Sequence, residues 1–169
     1  MGTYAMTGGA TGIGAAIKEQ LRARGERVIV VDIKDADIVA DLGTKAGRDA
    51  AVAAILDRAP EGLDGFVACA GVGPNLPPAL VASINYFGVV EVTEGLRAAL
   101  ERRRGGVVVI SSNSAPMSTD AAYVELLLAG DEAGAGARVT GQNGQVAYSG
   151  SKLAVARWVR RNALAWAGK

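Results

Sequence analysis

A doubly wound α/β domain, three layers around a parallel sheet, is predicted by three observations. Short runs that are apolar throughout alternate with segments whose apolar residues recur every three or four positions. The first such run stops at the glycine cluster "TGGATGIG", and a helical pattern follows at once. The 169 residues suffice for one well-packed domain and are too few to expect two.

"TYAMT", Thr3 to Thr7, reads as a buried strand. "GIGAAIKEQLRARG" sets Ile13, Ile17 and Leu21 at four-residue spacing on one helix face, and Gly25 supplies the stop. "RVIVVD", Arg27 to Asp32, is rich in β-branched residues and reads as a second buried strand. "ADIVADL" after it is a loop or a weak edge element. Gly47 to Arg58 predicts a helix stopped ahead of Pro60. "DGFVACAG" gives a strand over Phe66–Cys69, and one long helix is expected from Pro78 to Arg103, with Gly105 and Gly106 after its end. "GVVVISS" is the fourth clear strand, again buried. From Asn113 to Val146 the rhythm breaks. "AAYVELLLAGDEAGAG" suggests one or two helical turns before a glycine-rich stretch, so an insertion or mobile loop is expected at about 113–146 of a single domain spanning 1–169. "YSGSKLAVARWVRRNALAWAG" is a closing helix. A complete two-halved nucleotide fold needs strands beyond it; the 17 residues after Lys152 all look helical, so those strands are expected to be missing here.

Composition excludes several function classes. Half the residues are hydrophobic and 21% charged, a globular balance. With 18 basic and 17 acidic side chains there is no electrostatic footprint for nucleic acid or an anionic membrane. The run Arg102–Arg104 reads either as a solvated helix end, where cations complement the dipole, or as a binding patch. The single cysteine, Cys69, excludes an internal disulfide and suits a reducing compartment. The absence of histidine removes Ser-His-Asp chemistry and the commonest metal ligand, and no metal site is expected. The N-terminus lacks signal-peptide features, and the uncharged stretch Gly65–Val90 is broken by Pro74, Pro77 and Pro78, so no membrane segment and a cytoplasmic location are expected.

The glycine turn carries the first chemistry. Gly8 lets the chain turn sharply, Gly12 lets backbone approach a pyrophosphate, and Gly14 lets the helix pack on the sheet. Phosphates would then face the free N–H groups of that helix. The competing reading is a tight strand-to-helix turn and nothing more. Asp32 ends the second strand 18 residues past Gly14, where a carboxylate accepts from ribose hydroxyls and repels a 2′-phosphate. NAD is favoured over NADP on that ground, with Lys34 the nearby basic residue. Asp32 could also be a plain strand-end turn residue. Tyr148 and Lys152, four apart, fall on one helix face, as an acid–base pair or as two ordinary polar residues.

Taken in order, these motifs resemble the short-chain dehydrogenase/reductase family. "TGGATGIG" is similar to its TGxxxGIG turn, "CAG" at Cys69 to Gly71 stands where its NAG motif stands, and Asn85 in "SINYFG" matches its helix asparagine. "VVVISS" matches its serine-bearing strand and "YSGSK" its YxxxK. Cys69 departs from the usual Asn, and Ser112 and Tyr148 lie 36 positions apart where the family has a short loop. The long segment, with "CAG" and "INYFG", looks most like the bacterial 3α-hydroxysteroid dehydrogenase/carbonyl reductase branch; coniferyl-alcohol dehydrogenases are similar in these features.

The resemblance implies an NAD site formed by Gly8, Thr11, Gly12, Ile13, Gly14, Asp32, Ile33, Asp41, Leu42, Cys69, Ala70 and Gly71, joined by Tyr148 and Lys152. Asp41 and Leu42 would flank the adenine, and Cys69 to Gly71 would line the cofactor through backbone. The implied catalytic set is Asn85, Ser112, Tyr148 and Lys152. The Lys152 ammonium favours the Tyr148 phenolate, which exchanges a proton with the substrate oxygen while Ser112 holds that oxygen. Asn85 would support a water-linked proton path from Lys152. Ser111 and Ser114 compete with Ser112, and Asn85 could be an exposed polar residue. Met117, Tyr123, Leu126, Leu127 and Leu128 either wall a pocket for a bulky apolar alcohol or ketone, or pack the insertion onto the domain. Many members associate through the YxxxK helix, so a homo-oligomer, dimer or tetramer, is expected, and the insertion would favour a different dimer. The expected activity is NAD-dependent interconversion of a secondary alcohol and a ketone, hydroxysteroid in type. The alternatives are an aromatic alcohol such as coniferyl alcohol, or a truncated nucleotide-binding module without turnover.

Overall fold

The computed structural model describes residues 1–167, which form two compact units. The first comprises Met1–Ala70 and Glu91–Ile110. Its strands are β1 (Thr3–Thr7), β2 (Arg27–Asp32), β3 (Ile38–Val39), β4 (Gly65–Ala68) and β5 (Gly106–Val109). They pair in parallel in the order β3-β2-β1-β4-β5, with Met6 opposite Val30 on one side and Val67 on the other. The order reverses at β1, so crossovers run both ways and both faces take helices, as a doubly wound fold requires.

Alternation along the strands separates two apolar faces. Met6, Val28, Val30 and Val67 form one, covered by Ile17 and Leu21 of α1 (Gly12–Ala23). Ala5, Ile29, Val31 and Phe66 form the other; Ile55 of α2 (Lys45–Arg58) and Leu100 of α5 (Arg97–Arg103) are buried with them. Gly25, at φ 78°, ends α1 with the Glu26 N–H returning to the Leu21 carbonyl. The "ADIVADL" stretch contributes a two-residue edge strand, β3. The expectation that "GVVVISS" is buried throughout is corrected: β5 stops at Val109 and Val108 is 54% exposed, because β5 has a neighbour on one side only.

The second unit comprises Gly71–Val90 and, among the described residues, 111–167. The single long helix expected from Pro78 is instead α3 (Pro78–Ala82), a π-helical turn (Ser83–Phe87), α4 (Gly88–Gly95) and α5, with a break at Leu96. The π turn buries Asn85, Tyr86 and Phe87 together, and the Asn85 hydrogen bonds described below hold it. In the segment at about 113–146, where one or two helical turns were expected, the chain forms α6 (Ala121–Leu128) and α7 (Glu132–Val139), each capped by an aspartate. Asp120 accepts from the Tyr123 N–H, and Asp131 from the Gly134 N–H. α8 (Gly144–Trp166) starts four residues ahead of Tyr148, capped by Asn143. α6 packs on α8 and α7, and α3 on α7 and α8. No helix among the described residues is long and apolar enough to cross a membrane.

Candidate active site

In the first unit the glycine turn is shaped by what a side chain would strike. A Cβ on Gly8, at φ 76°, would lie 2.6 Å from the Ala70 nitrogen. One on Gly14 would lie 1.8 Å from the Gly8 carbonyl oxygen, so α1 reaches the turn only without a side chain there. Gly12 differs: it has φ 58°, and a Cβ would find open space. Thr11 leads into α1 without a capping side-chain bond, and no acidic residue occupies the first turn. By contrast α2, α6, α7 and α8 all have side-chain caps. Open backbone at Gly12 ahead of an uncapped helix N-terminus fits a dinucleotide pyrophosphate.

Asp32 has a duty the sequence did not disclose. Its carboxylate accepts from the Ala10 N–H at 2.9 Å and the Ile33 N–H at 2.7 Å, so it braces the glycine turn. A carboxylate has about four acceptor sites, so this leaves capacity for ribose hydroxyls. Ile13 and Ile33 are exposed apolar side chains of this unit. The buried Thr7 takes the Cys69 N–H on its carbonyl and the Ala70 N–H on its hydroxyl, which fixes the strand end. Asp41 is exposed and accepts from the Gly43 N–H, while Leu42 is buried.

The second unit gathers Gly71, Asn85, Ser112, Tyr148 and Lys152. The Tyr148 hydroxyl donates to Ser112 Oγ at 3.4 Å, bridging 36 positions of sequence. Ser112 Oγ also accepts from the Ser114 N–H, and Ser111 Oγ donates to the Lys152 carbonyl at 3.0 Å. The three serines are thereby distinguished: Ser111 ties its loop to α8, Ser114 supports through backbone, and Ser112 meets the phenol. All three lie in the coil beyond β5 and not on the strand itself.

Lys152 lies one turn along from Tyr148 and is 5% exposed. A Cβ on Gly71 would lie 3.4 Å from its Nζ and 3.3 Å from Asn85 Oδ1. Ammonium and amide therefore face the same glycine. Asn85 is fully buried; its Oδ1 accepts from the Val72 N–H at 2.8 Å, and its Nδ2 donates to the Val72 carbonyl at 3.0 Å and to Ser151 Oγ at 3.4 Å. Ser151 Oγ in turn donates to the Tyr148 carbonyl at 2.7 Å.

Two other phenols of this unit are unsuited to proton exchange near neutral pH. Burial pushes Tyr86 up to about 12, partly offset by Arg161, and burial pushes Tyr123 up further. The Tyr123 hydroxyl donates to the Ala147 carbonyl, and Leu127 is fully buried. Of the two readings of the 117–128 segment, Tyr123 and Leu127 fit packing; Met117 is half exposed. Among the described residues no group of acidic or cysteine side chains could hold a metal.

The short chain dehydrogenase family model matches residues 3–124. A 3-alpha-hydroxysteroid dehydrogenase/carbonyl reductase of Comamonas testosteroni is 41% identical over 173 residues, covering 98% of this chain and 67% of that protein. A coniferyl-alcohol dehydrogenase of a Pseudomonas species is 36% identical over 113 residues, covering 63% of this chain and 42% of its own length. The crystal structure of the 3-alpha-hydroxysteroid dehydrogenase from Pseudomonas sp. B-0831 complexed with NADH superposes with a TM-score of 0.92 at 46% identity, covering 98% of this chain and 74% of that one.

Proposed function

The chain belongs to the short-chain dehydrogenase family, and from that premise we propose that it interconverts a secondary alcohol and a ketone with NAD, on a hydroxysteroid-type substrate. The hydrogen bond from Tyr148 to Ser112, with the buried Lys152 one turn away, carries this reading.

In the oxidation direction Ser112 donates a hydrogen bond to the substrate oxygen and holds it beside the Tyr148 phenol oxygen. Tyr148, as phenolate, takes the alcohol proton; in reduction it returns that proton to the carbonyl oxygen. Lys152 places its positive charge one helix turn from the phenol. Bound NAD supplies the hydride acceptor. Its pyrophosphate is assigned to the Gly8–Gly14 turn and its adenosine ribose to Asp32, with Thr11, Ile13, Ile33, Asp41, Leu42, Cys69, Ala70 and Gly71 as further contacts. Asn85 holds the Val72 peptide through two hydrogen bonds, and so fixes the backbone next to Gly71.

The substrate class is supported by the two hydroxysteroid relatives, which align with 98% of the chain. The aromatic-alcohol alternative draws on the 36% identical coniferyl-alcohol relative. A cytoplasmic, homo-oligomeric protein completes the reading, and light scattering measures the oligomer. The deciding experiment is NADH formation by the purified chain with NAD and either 3α-hydroxysteroids or cinnamyl alcohols. Turnover with the steroids is expected; turnover with cinnamyl alcohols alone overturns the substrate class, and none with any secondary alcohol overturns the proposal.

A further inference from the structure

Arg48 is an arginine in the second turn of α2 whose side chain is 1% exposed. Its Nε donates to Glu91 Oε2 at 2.8 Å, and its NH1 donates to the Leu42 carbonyl at 3.2 Å. The Asp41–Thr44 turn that carries this carbonyl is otherwise fastened to itself and to the start of α2. Thr44 donates to the Asp41 carbonyl through both N–H and hydroxyl, and Gly43 N–H donates to the Asp41 carboxylate. Gly47 permits the approach of α2, since a Cβ there would lie 2.0 Å from the Asp41 carbonyl oxygen. Arg48 reaches beyond them to the Glu91 carboxylate on α4, which Lys45 at the start of α2 also approaches, at 4.0 Å.

The pair joins a buried arginine to a glutamate that is 30% exposed, and it is a poor source of stability, because desolvation of the guanidinium offsets the attraction. What it supplies is direction: the planar guanidinium holds two acceptors in a fixed geometry that a lysine ammonium does not reproduce. One acceptor here is the peptide of Leu42. We propose that Arg48, held by Glu91, is a positioning residue that sets the Asp41–Leu42 turn for the adenine of NAD. The inference rests on the assignment of Asp41 and Leu42 to the adenine.

The test compares Arg48→Lys, Glu91→Gln and Asp41→Ala by calorimetric binding of NADH and of AMP, with KM for NAD and kcat beside them. Arg48→Lys weakens NADH and AMP by the same factor, roughly five- to tenfold, an effect in KM and not in kcat. Glu91→Gln, which keeps the shape and removes the charge, moves AMP binding in the same direction by less. A purely structural role predicts instead that kcat falls with KM, or that AMP binding is unmoved; either result in both variants overturns the inference. Asp41→Ala separates the premise. If it leaves AMP binding unchanged, the adenine assignment falls and the inference with it. If it weakens AMP while Arg48→Lys and Glu91→Gln do not, only the role of Arg48 falls.

Discussion

The glycine turn of the first unit and the tyrosine–serine–lysine group of the second are built by opposite means. The turn is made of backbone and of absent atoms. Gly8 and Gly14 allow approaches that any Cβ would block, and Gly12 leaves open space. The tyrosine group is made of side chains tied one to another. Tyr148 meets Ser112, Ser151 joins Tyr148 to Asn85, and Ser111 fastens its loop to α8. A backbone-built site fails by steric exclusion at one position. A side-chain-built site loses function one hydrogen bond at a time, and its supports count as much as its members.

Substitutions at the glycines sharpen that contrast most. Gly14→Ala puts a methyl 1.8 Å from the Gly8 oxygen, so overpacking is expected to lower stability by about 1–3 kcal/mol in urea unfolding and to weaken NADH binding with it. Gly12→Ala meets nothing in the protein and carries only the left-handed backbone cost of roughly 1–2 kcal/mol, yet it sets a methyl where the phosphates are assigned. Its expected signature is NADH affinity lost well beyond its effect on stability. Equal ratios of the two effects in both variants would erase the distinction drawn here.

A smaller effect tests the side-chain-built unit. Asp120 caps α6 and also accepts from Arg138 of α7 and from Gln142 beyond it. The Tyr123 N–H, then Gln142 and Arg138, hold its carboxyl down at about 2 against the opposing effect of burial. A folded value below the unfolded one of about 3.9 means that Asp120 stabilises fully above that range and that the gain disappears as the pH falls toward 2. Asp120→Ala should cost about 1 kcal/mol at neutral pH, by the usual worth of a helix cap. In thermal melts the gap between the two proteins should close on acidification; a gap constant down to pH 2 would remove the carboxylate from the account.

The same contrast explains what the sequence disclosed. The glycine turn was legible because its parts lie within eight residues, bounded by a strand and a helix with plain periodicity. Tyr148 and Lys152 were legible because one helix turn joins them. The choice of Ser112 over Ser111 came from the resemblance and not from the residues themselves, since it depends on which hydroxyl faces Tyr148 from 36 positions away. The π turn at Asn85 was hidden because an extra residue in a helical turn leaves the apolar spacing nearly intact. Glycines at 130, 134, 136 and 141 blurred the bounds of α6 and α7, which Asp120 and Asp131 cap. Arg48 lies inside the predicted helix with nothing in the sequence to single it out; only its burial against Leu42 and Glu91 distinguishes it.

The central claim is that Tyr148 exchanges the proton of an NAD-linked alcohol oxidation. Tyr148→Phe removes one oxygen atom and leaves the ring, so the decisive measurement is its rate of NADH formation beside its affinity for NADH. The account predicts turnover lowered by roughly 10²–10⁴-fold while NADH binding is retained. Near-normal turnover in that variant would contradict it.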